Sequence, residues 1–346
     1  MPQGTAPAQF DPGLSYDTGN GRGRDSAQAI KWYRRIAARG SGAAQYELGL
    51  LYCQSNEFSE AAKWFRMAAD NGNAPAQCNL GVMYIKGDGV QQDYIEARRW
   101  FMRAAGQGMS RAQLYLGFMH IQGKGVQQDY TEARRWFWLA ADQGEPKAQC
   151  FLGIIYMSGK SGQLDYSEGA KCFRLAAEQG LAPAQCYLGL AYATGSGVRQ
   201  YYAEAVKWFQ LAADQGLASA QSYLGIAYEY GVGVRKDYEQ AVRLYLLASD
   251  QGSEVAQYRL GEMHETGEGV NQDYVEAVRW YRMAAEQGLP QAQYHLAKMY
   301  ETGKGVPQDV NEAGKWYRQA LEHGWMPPNF MTTPGFKARM RILRYR

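Results

Sequence analysis

The sequence predicts an all-α solenoid of stacked antiparallel helix hairpins, and two observations predict it. The first is a fixed period: the dipeptide Ala-Gln recurs every 36 residues, at 76, 112, 148, 184, 220, 256 and 292. An earlier copy at 44 lies 32 residues upstream. The second is that each copy carries apolar residues at helical spacing on both sides of a turn. A period of this length is typical of stacked repeats, in which each unit packs on its neighbours.

Helix A opens each copy. In the copy at 112–147, one helical face carries Ala112, Leu116 and Met119. We expect helix A over about 112–122, ended by Gly123 and the glycine-rich turn that follows it. Gly117 lies on the same helix, where the absence of a side chain would let a second helix approach closely.

Helix B closes each copy. In the same copy Asp129 is a candidate N-cap, and Glu132 follows three residues later, as in a capping box. We therefore expect helix B over about 130–142. The acidic pair recurs at most helix B starts, so we interpret these carboxylates as caps rather than as general acid/base pairs. In one copy Tyr201 replaces the aspartate, which predicts a weaker cap there, at a cost of roughly 1 kcal/mol.

Composition and motifs exclude several classes of protein. The 346 residues carry a formal net charge of only +3, so bulk charge does not predict nucleic-acid binding. No apolar run approaches the length of a membrane span. The Gly-x-Gly-Val turns lack the third glycine and the Lys-Ser/Thr of a phosphate-binding loop. Three of the five cysteines occupy the same position of their repeats, about 10 Å apart in packed helices, which is beyond disulfide reach. No Cys-x-x-Cys pair occurs, so we predict no metal site. We also expect no cofactor.

The unit as a whole resembles the Sel1-like repeat, a relative of the tetratricopeptide repeat. The residues that carry the resemblance arrive in order: Ala-Gln, Leu-Gly, Tyr, Gly-x-Gly-Val, Asp-Tyr, Glu-Ala, Trp-Phe/Tyr and Ala-Ala. The resemblance covers about 25–324 and is nearest to bacterial members. It implies a right-handed α/α superhelix and a role as scaffold or adaptor in protein complexes. The cysteine positions of the disulfide-rich members hold other residues here, so the activities of that branch are not implied.

Two helix A positions vary between copies in a way that a core position would not. The fourth residue is aromatic in the four middle copies but polar or charged in others. We therefore predict a partly exposed apolar ladder of i, i+3 pairs: Tyr115/Phe118, Phe151/Ile154, Tyr187/Leu190 and Tyr223/Ile226. A charged end would follow, formed by Arg259/Glu262 and His295/Lys298. Since helix A lines the concave side in the fold that the chain resembles, the ladder would form the floor of a partner-binding groove.

The same aromatic rings have a structural alternative, because half-buried rings also fill space between repeats. For function, the leading hypothesis is a non-enzymatic scaffold or adaptor that binds a peptide or helix of a protein partner. The alternative is a protein that binds or hydrolyses glycan or peptidoglycan, since stacked aromatic side chains also hold sugars. No cluster of acids breaks the repeat pattern, so we expect no catalytic residue, and we expect a monomer.

The two ends depart from the repeat. Residues 1–23 are rich in Gly, Pro and polar residues, which predicts disorder. About eight repeats then fill 24–324, beginning with a half-repeat that would cap the stack. Residues 325–346 carry five basic side chains in the last ten positions, which indicates either a capping helix or a basic tail for an acidic partner or membrane surface. No signal peptide is recognisable, which favours the cytoplasm; a start farther upstream would allow export.

Overall fold

The computed structural model describes residues 26–162 and 164–325, and all the regular secondary structure in this part of the chain is helical. Seventeen α-helices follow one another there, in two compact units that meet between Asp165 and Tyr166. The predicted all-α solenoid of helix hairpins is confirmed, while the right-handed sense of the superhelix stays a prediction. The expected disordered segment at 1–23 lies outside the described residues, as does the C-terminal segment after Trp325.

B and A helices alternate in both units, and within each unit an A helix packs against the B helix that follows it. The helices of the first unit are α1 (Ser26–Ala37), α2 (Gly42–Gln54), α3 (Phe58–Asp70), α4 (Ala74–Lys86), α5 (Tyr94–Gly106), α6 (Ser110–Gln122), α7 (Tyr130–Asp142) and α8 (Pro146–Ser158). Those of the second are α9 (Tyr166–Glu178), α10 (Ala182–Thr194), α11 (Tyr202–Asp214), α12 (Ala218–Tyr230), α13 (Tyr238–Ser249), α14 (Glu254–Thr266), α15 (Tyr274–Glu286), α16 (Pro290–Thr302) and α17 (Val310–Glu322). No helix in this part of the chain is long and apolar enough to cross a membrane.

Helix bounds agree with the sequence prediction except at the start of helix A. In the copy at 112–147, α7 matches the predicted helix B and α6 ends where expected, but α6 begins two residues early, at Ser110. The Ala-Gln dipeptide therefore lies within the first turn rather than at the helix start. Proline occupies one of the first two positions of α4, α8, α10 and α16, where its missing N–H costs no helical hydrogen bond.

The glutamine of Ala-Gln is buried and bridges neighbouring helices, a role that the sequence analysis missed. Gln77 Nε2 donates to the Ala69 carbonyl in the last turn of α3, at 3.0 Å. Gln77 Oε1 accepts from Gln107 Nε2, just after α5, at 2.9 Å. In the second unit Gln221 accepts from Gln251 in the same way, at 3.0 Å. A buried amide needs these partners, so the recurring glutamine satisfies its own polar groups while joining one repeat to the next.

Two glycines that recur in most copies allow close contacts that a side chain would prevent. A Cβ atom on Gly117 would lie 2.5 Å from Phe137 Cε1, so the predicted close approach of α6 and α7 is confirmed. In the turn between them, Gly125 has a φ of +70°, and a Cβ there would lie 2.5 Å from the Tyr94 carbonyl oxygen. The turn of one hairpin thus rests on the first residue of the preceding B helix.

The aspartate N-caps are confirmed. The second hydrogen bond that a capping box predicts, from the cap amide to the glutamate side chain, is replaced by another at α7. Asp129 accepts hydrogen bonds from the amides of Thr131 and Glu132, at 2.8 and 3.1 Å. The Asp129 amide, however, donates to the His120 carbonyl of α6 at 3.0 Å rather than to the Glu132 side chain. That bond ties helix B to helix A of the same hairpin. The Tyr201 side chain makes no capping hydrogen bond to α11, as predicted from the replacement of aspartate by tyrosine.

The five cysteines are free thiols in the structure. Four of them are buried and Cys53 is half-buried. Burial raises the pKa of the Cys78 thiol to about 11. These thiols therefore act as small apolar core residues at neutral pH.

Candidate functional site

The predicted apolar ladder lies on the A helices, and its first-unit aromatic rings are half-buried. Tyr115 of α6 stacks on Phe101 of α5, with ring centroids 4.9 Å apart. Phe118 meets Phe151 of α8 edge to face at 4.6 Å. Phe151 also stacks on the buried Phe137 of α7, at 5.7 Å. The structure therefore brings Phe118 and Phe151, from neighbouring A helices, into contact.

The second-unit rings also stack on helix B, and one of them is more open to solvent than the first-unit rings. Tyr187 of α10 stacks on the buried Phe173 with centroids 5.0 Å apart, yet the residue is 39% exposed. Tyr223 of α12 stacks on Phe209 at 5.4 Å and is half-buried. The aliphatic members of the ladder are half-buried as well: Ile154, Leu190 and Ile226. Each ring thus packs one face on helix B and leaves part of its surface exposed, so the packing alternative accounts for one face of each ring.

A cleft of about 380 Å³ opens beside Tyr223. Ser219 and Ser222 of α12 line one side, and the turn from Gln251 to Val255 lines the other. The Ser222 and Ser253 hydroxyl oxygens lie 3.1 Å apart within it. An aromatic ring beside hydroxyl groups suits a bound segment that carries both apolar and polar groups.

The charged end of the predicted site is an ion-pair network rather than a row of free charges. Arg259 Nη1 lies 3.0 Å from Glu262 Oε2 and 3.6 Å from Glu229 Oε1. The same nitrogen donates to the Tyr230 hydroxyl at 2.8 Å. Burial would lower the pKa of Arg259, but the two glutamates outweigh it and raise that pKa above its usual range. Arg259 is therefore a fixed, permanently charged group on α14.

His295 and Lys298 of α16 share a different carboxylate. His295 Nδ1 lies 3.5 Å and Lys298 Nζ lies 3.9 Å from Glu265 of α14. Burial opposes ionisation of Glu265, but hydrogen bonds from His295 and Tyr281 and the nearby Lys298 charge prevail and lower its pKa to about 2. Glu265 is thus ionised at neutral pH and serves as an acceptor, not as a general acid. The structure joins Arg259 to Glu262 as predicted, and it joins His295 and Lys298 through Glu265.

Three buried tyrosines of the second unit donate hydrogen bonds to glutamates of A helices, and the sequence analysis missed these pairs. They join a B helix to the A helix of the same hairpin: Tyr245 to Glu229 at 2.5 Å, Tyr281 to Glu265 at 2.7 Å, and Tyr317 to Glu301 at 2.7 Å. The signal was present in the sequence. The tenth residue of the copy, counted from the alanine of Ala-Gln, is glutamate only in the three copies whose helix B carries tyrosine in place of phenylalanine.

Comparison with known proteins agrees with this architecture. The Sel1 repeat profile matches nine consecutive segments: 6–41, 42–73, 74–109, 110–145, 146–181, 182–217, 218–253, 255–289 and 290–325. The first segment begins upstream of the half-repeat expected at 24. A search of curated protein sequences finds no match.

Two solved structures are similar over most of the chain. One is a protective antigen from uropathogenic Escherichia coli with an SLR fold, 32% identical, with a TM-score of 0.70; the match covers 90% of this chain and 76% of that one. The other is a Sel1 repeat protein from Oxalobacter formigenes, 32% identical, with a TM-score of 0.67 and coverage of 94% and 95%. Sel1 repeat proteins generally serve as protein-interaction scaffolds. From the nine matched segments and these two structures, the chain belongs to the Sel1 repeat family.

Proposed function

We propose that this chain is a scaffold that binds a peptide or helix of a protein partner along the exposed surface of its A helices. The observation that carries the proposal is Tyr187, whose ring is held in place by stacking on Phe173 and is still 39% exposed. A ring fixed in this way loses little conformational freedom on binding, and tyrosine is frequent among residues that dominate binding energy. The adjacent Tyr223, with its cleft, offers a second anchor on the next A helix.

The charged network would favour one orientation of the bound partner segment. Arg259 and Lys298 contribute positive charge to the A-helix surface, and Glu262 contributes negative charge. Because these groups are held by ion pairs, they present fixed charges to a partner rather than flexible ones. Such complementarity influences the orientation of a bound segment more than its affinity. We expect a partner segment with aromatic or aliphatic side chains followed by a mixed charged stretch.

A capture experiment with matched variants tests the proposal. The intact chain is compared with Tyr187→Ala/Tyr223→Ala and with a control, Tyr166→Ala/Tyr201→Ala, which removes two exposed tyrosines at helix B starts. We expect proteins that bind the intact chain and the control, identified by mass spectrometry, to be lost from the first variant. Thermal unfolding of all three is recorded, since each lost stacking contact costs about 1 kcal/mol.

The outcomes separate three hypotheses. Proteins that bind all three chains equally would contradict the A-helix site. A large fall in melting temperature for Tyr187→Ala/Tyr223→Ala alone would indicate that the rings are mainly structural. Loss of binding to a panel of immobilised glycans, with protein capture unchanged, would favour the carbohydrate alternative.

A further inference from the structure

The outer surface of the second unit carries three parallel rows of side chains that the proposed function does not use. On each of four consecutive B helices, a basic, an apolar and an acidic residue follow one another at i, i+4 and i+7, all of them exposed. The basic row is Lys171, Lys207, Arg243 and Arg279. The apolar row is Leu175, Leu211, Leu247 and Met283. The acidic row is Glu178, Asp214, Asp250 and Glu286. We call this surface the three-row face.

The apolar row is exposed to an unusual degree for its residue types. Leu175 and Leu247 are each 52% exposed, Leu211 is 48% and Met283 is 44% exposed. Single exposed leucines are common on protein surfaces, but four at the same position of consecutive repeats make one continuous stripe. The stripe ends at α17, where Gln319 occupies the apolar position. An apolar stripe with polar borders has the composition of a protein interface.

Helix stability does not explain the acidic row. Each of these carboxylates lies at or near the C-terminus of its helix, where the helix dipole disfavours negative charge. The basic row is partly paired within its own helices: Lys171, Lys207 and Arg279 lie within 3 Å of glutamates three residues earlier. Such exposed pairs are weak, so both rows remain available to a partner.

The charge pattern of the three-row face indicates which partner would fit it. We propose that the three-row face binds the same face of a second copy of this chain, around a two-fold axis that runs along the apolar row. This rotation places the apolar rows of the two copies against each other. It also places the basic row of each copy opposite the acidic row of the other. Lys207 of one copy would face Asp214 of the other, and the converse pair would form by symmetry. An isologous interface requires this kind of self-complementarity.

The size of the face is sufficient for a stable dimer. Four helices about 10 Å apart span about 40 Å. On each helix the three residues extend over about 10 Å, or about 20 Å once the side chains are included, so the footprint is about 40 by 20 Å. That is about 800 Å² per copy, which matches an interface of standard size. The dimer would replace the monomer expected from the sequence, and it leaves the A-helix surface free for the partner of the proposed function.

The first unit provides an internal control. There α3 carries the exposed triplet Lys63/Met67/Asp70, but α5 has Arg103 at the apolar position. On α7 the apolar residue, Leu139, is half-buried, so the exposed apolar row is interrupted after α3. Arg103 Nη1 lies 3.8 Å from Asp70 Oδ1, which shows that outer side chains of consecutive B helices reach one another. Asp70 is the α3 residue equivalent to the acidic row. Consecutive B helices with all three residues exposed therefore occur in the second unit and not in the described part of the first.

Sedimentation velocity of the full chain over a wide concentration range tests the proposal. We expect the wild type to dimerise, Leu211→Glu/Leu247→Glu to raise the dissociation constant by about 100-fold or more, and Met67→Glu to leave it unchanged. A wild type that stays monomeric throughout, or a dimer that tolerates the leucine variant, overturns the proposal. Circular dichroism checks that each variant is folded.

Charge reversal tests the two-fold arrangement independently of the apolar row. Lys207→Glu places like charges opposite each other at two symmetric sites, so we expect the dissociation constant to rise by about tenfold. Adding Asp214→Lys to the same chain restores opposite charges at both sites and should restore the dimer. If the combined variant is no better than Lys207→Glu alone, the two copies do not pack in this orientation and the proposal fails.

Discussion

The hairpins of the first unit and the last three hairpins of the second use different chemistry at the same place in the core. In α5 and α7 the buried ring of helix B is Phe101 or Phe137, and position ten of the facing A helix is Ile85 or Ile121. In the last three hairpins that ring is a tyrosine, and position ten is a glutamate that accepts its hydroxyl hydrogen bond. Both residues change together in every copy.

The difference shows how one fold tolerates a polar core contact. A buried hydroxyl or carboxylate without a partner costs free energy, so either residue alone would destabilise the hairpin. The pair also changes the surface above it, because Glu229 and Glu265 hold Arg259, His295 and Lys298 in place. A core substitution thus supports a charged A-helix surface, whereas the phenylalanine copies support an apolar one.

The largest expected effect comes from breaking one pair. Glu229→Ile restores the isoleucine that α4 and α6 carry at position ten, but it leaves the buried Tyr245 hydroxyl without its acceptor and removes one of the two carboxylates beside Arg259. We expect the free energy of unfolding to fall by about 3 kcal/mol in chemical denaturation. Adding Tyr245→Phe should recover more than half of that loss, because the hydroxyl is removed as well. A double variant as unstable as Glu229→Ile alone would contradict the paired interpretation.

A smaller effect on the free energy of unfolding is expected at low pH, where a glutamate at position ten becomes protonated and an isoleucine does not. The pKa of Glu265 falls from 4.5 in the unfolded chain to about 2 in the folded chain. A lowered pKa stabilises the fold above pH 4.5, and that contribution disappears as the pH falls from 4.5 toward 2. We expect about 2 kcal/mol, allowing for partial solvent screening. In Glu265→Gln the stability is lower at pH 7 and depends less on pH; parallel curves for the two chains would contradict the assignment.

The smallest expected effect concerns α11, a B helix whose N-cap residue is Tyr201 instead of aspartate. Tyr201→Asp on α11 should add the cap that Asp129 provides to α7, through the amides of the first turn. We expect a gain of about 1 kcal/mol in the free energy of unfolding, measured by chemical denaturation. Asp129→Ala is the matched control and should lose a similar amount. No gain from Tyr201→Asp would mean that another group already satisfies those amides.

Much of the hairpin could be predicted from the sequence because its determinants are local. The period, the glycine turn and the cap at Asp129 each act within a few residues, so the bounds of α7 followed directly. The bond between Gln77 and Gln107 joins residues 30 positions apart, and which positions face each other depends on packing between repeats. The start of α6 at Ser110 was missed for a related reason, since the buried glutamine marks a contact and not a helix start.

The candidate site was predicted in part. The sequence variation indicated that the ring of Tyr187 would be partly exposed, and the structure agrees. It did not indicate that His295 and Lys298 converge on Glu265, because that residue belongs to the preceding A helix. A single exposed leucine on helix B, such as Leu211, looks like ordinary surface variation in the sequence. Only the alignment of four copies at equivalent positions makes the stripe visible.

The buried glutamines have a consequence for how such a chain changes length. Gln45, Gln77 and Gln185 each accept from the residue just after the next B helix and donate to the end of the previous one. The donor and acceptor sets at the two ends of a repeat are therefore complementary. Gain or loss of one whole repeat joins ends whose donors and acceptors match. Gain or loss of part of a repeat leaves a buried glutamine amide without its hydrogen-bond partner. Evolution can thus lengthen or shorten the surface in whole-repeat steps without redesigning the junctions.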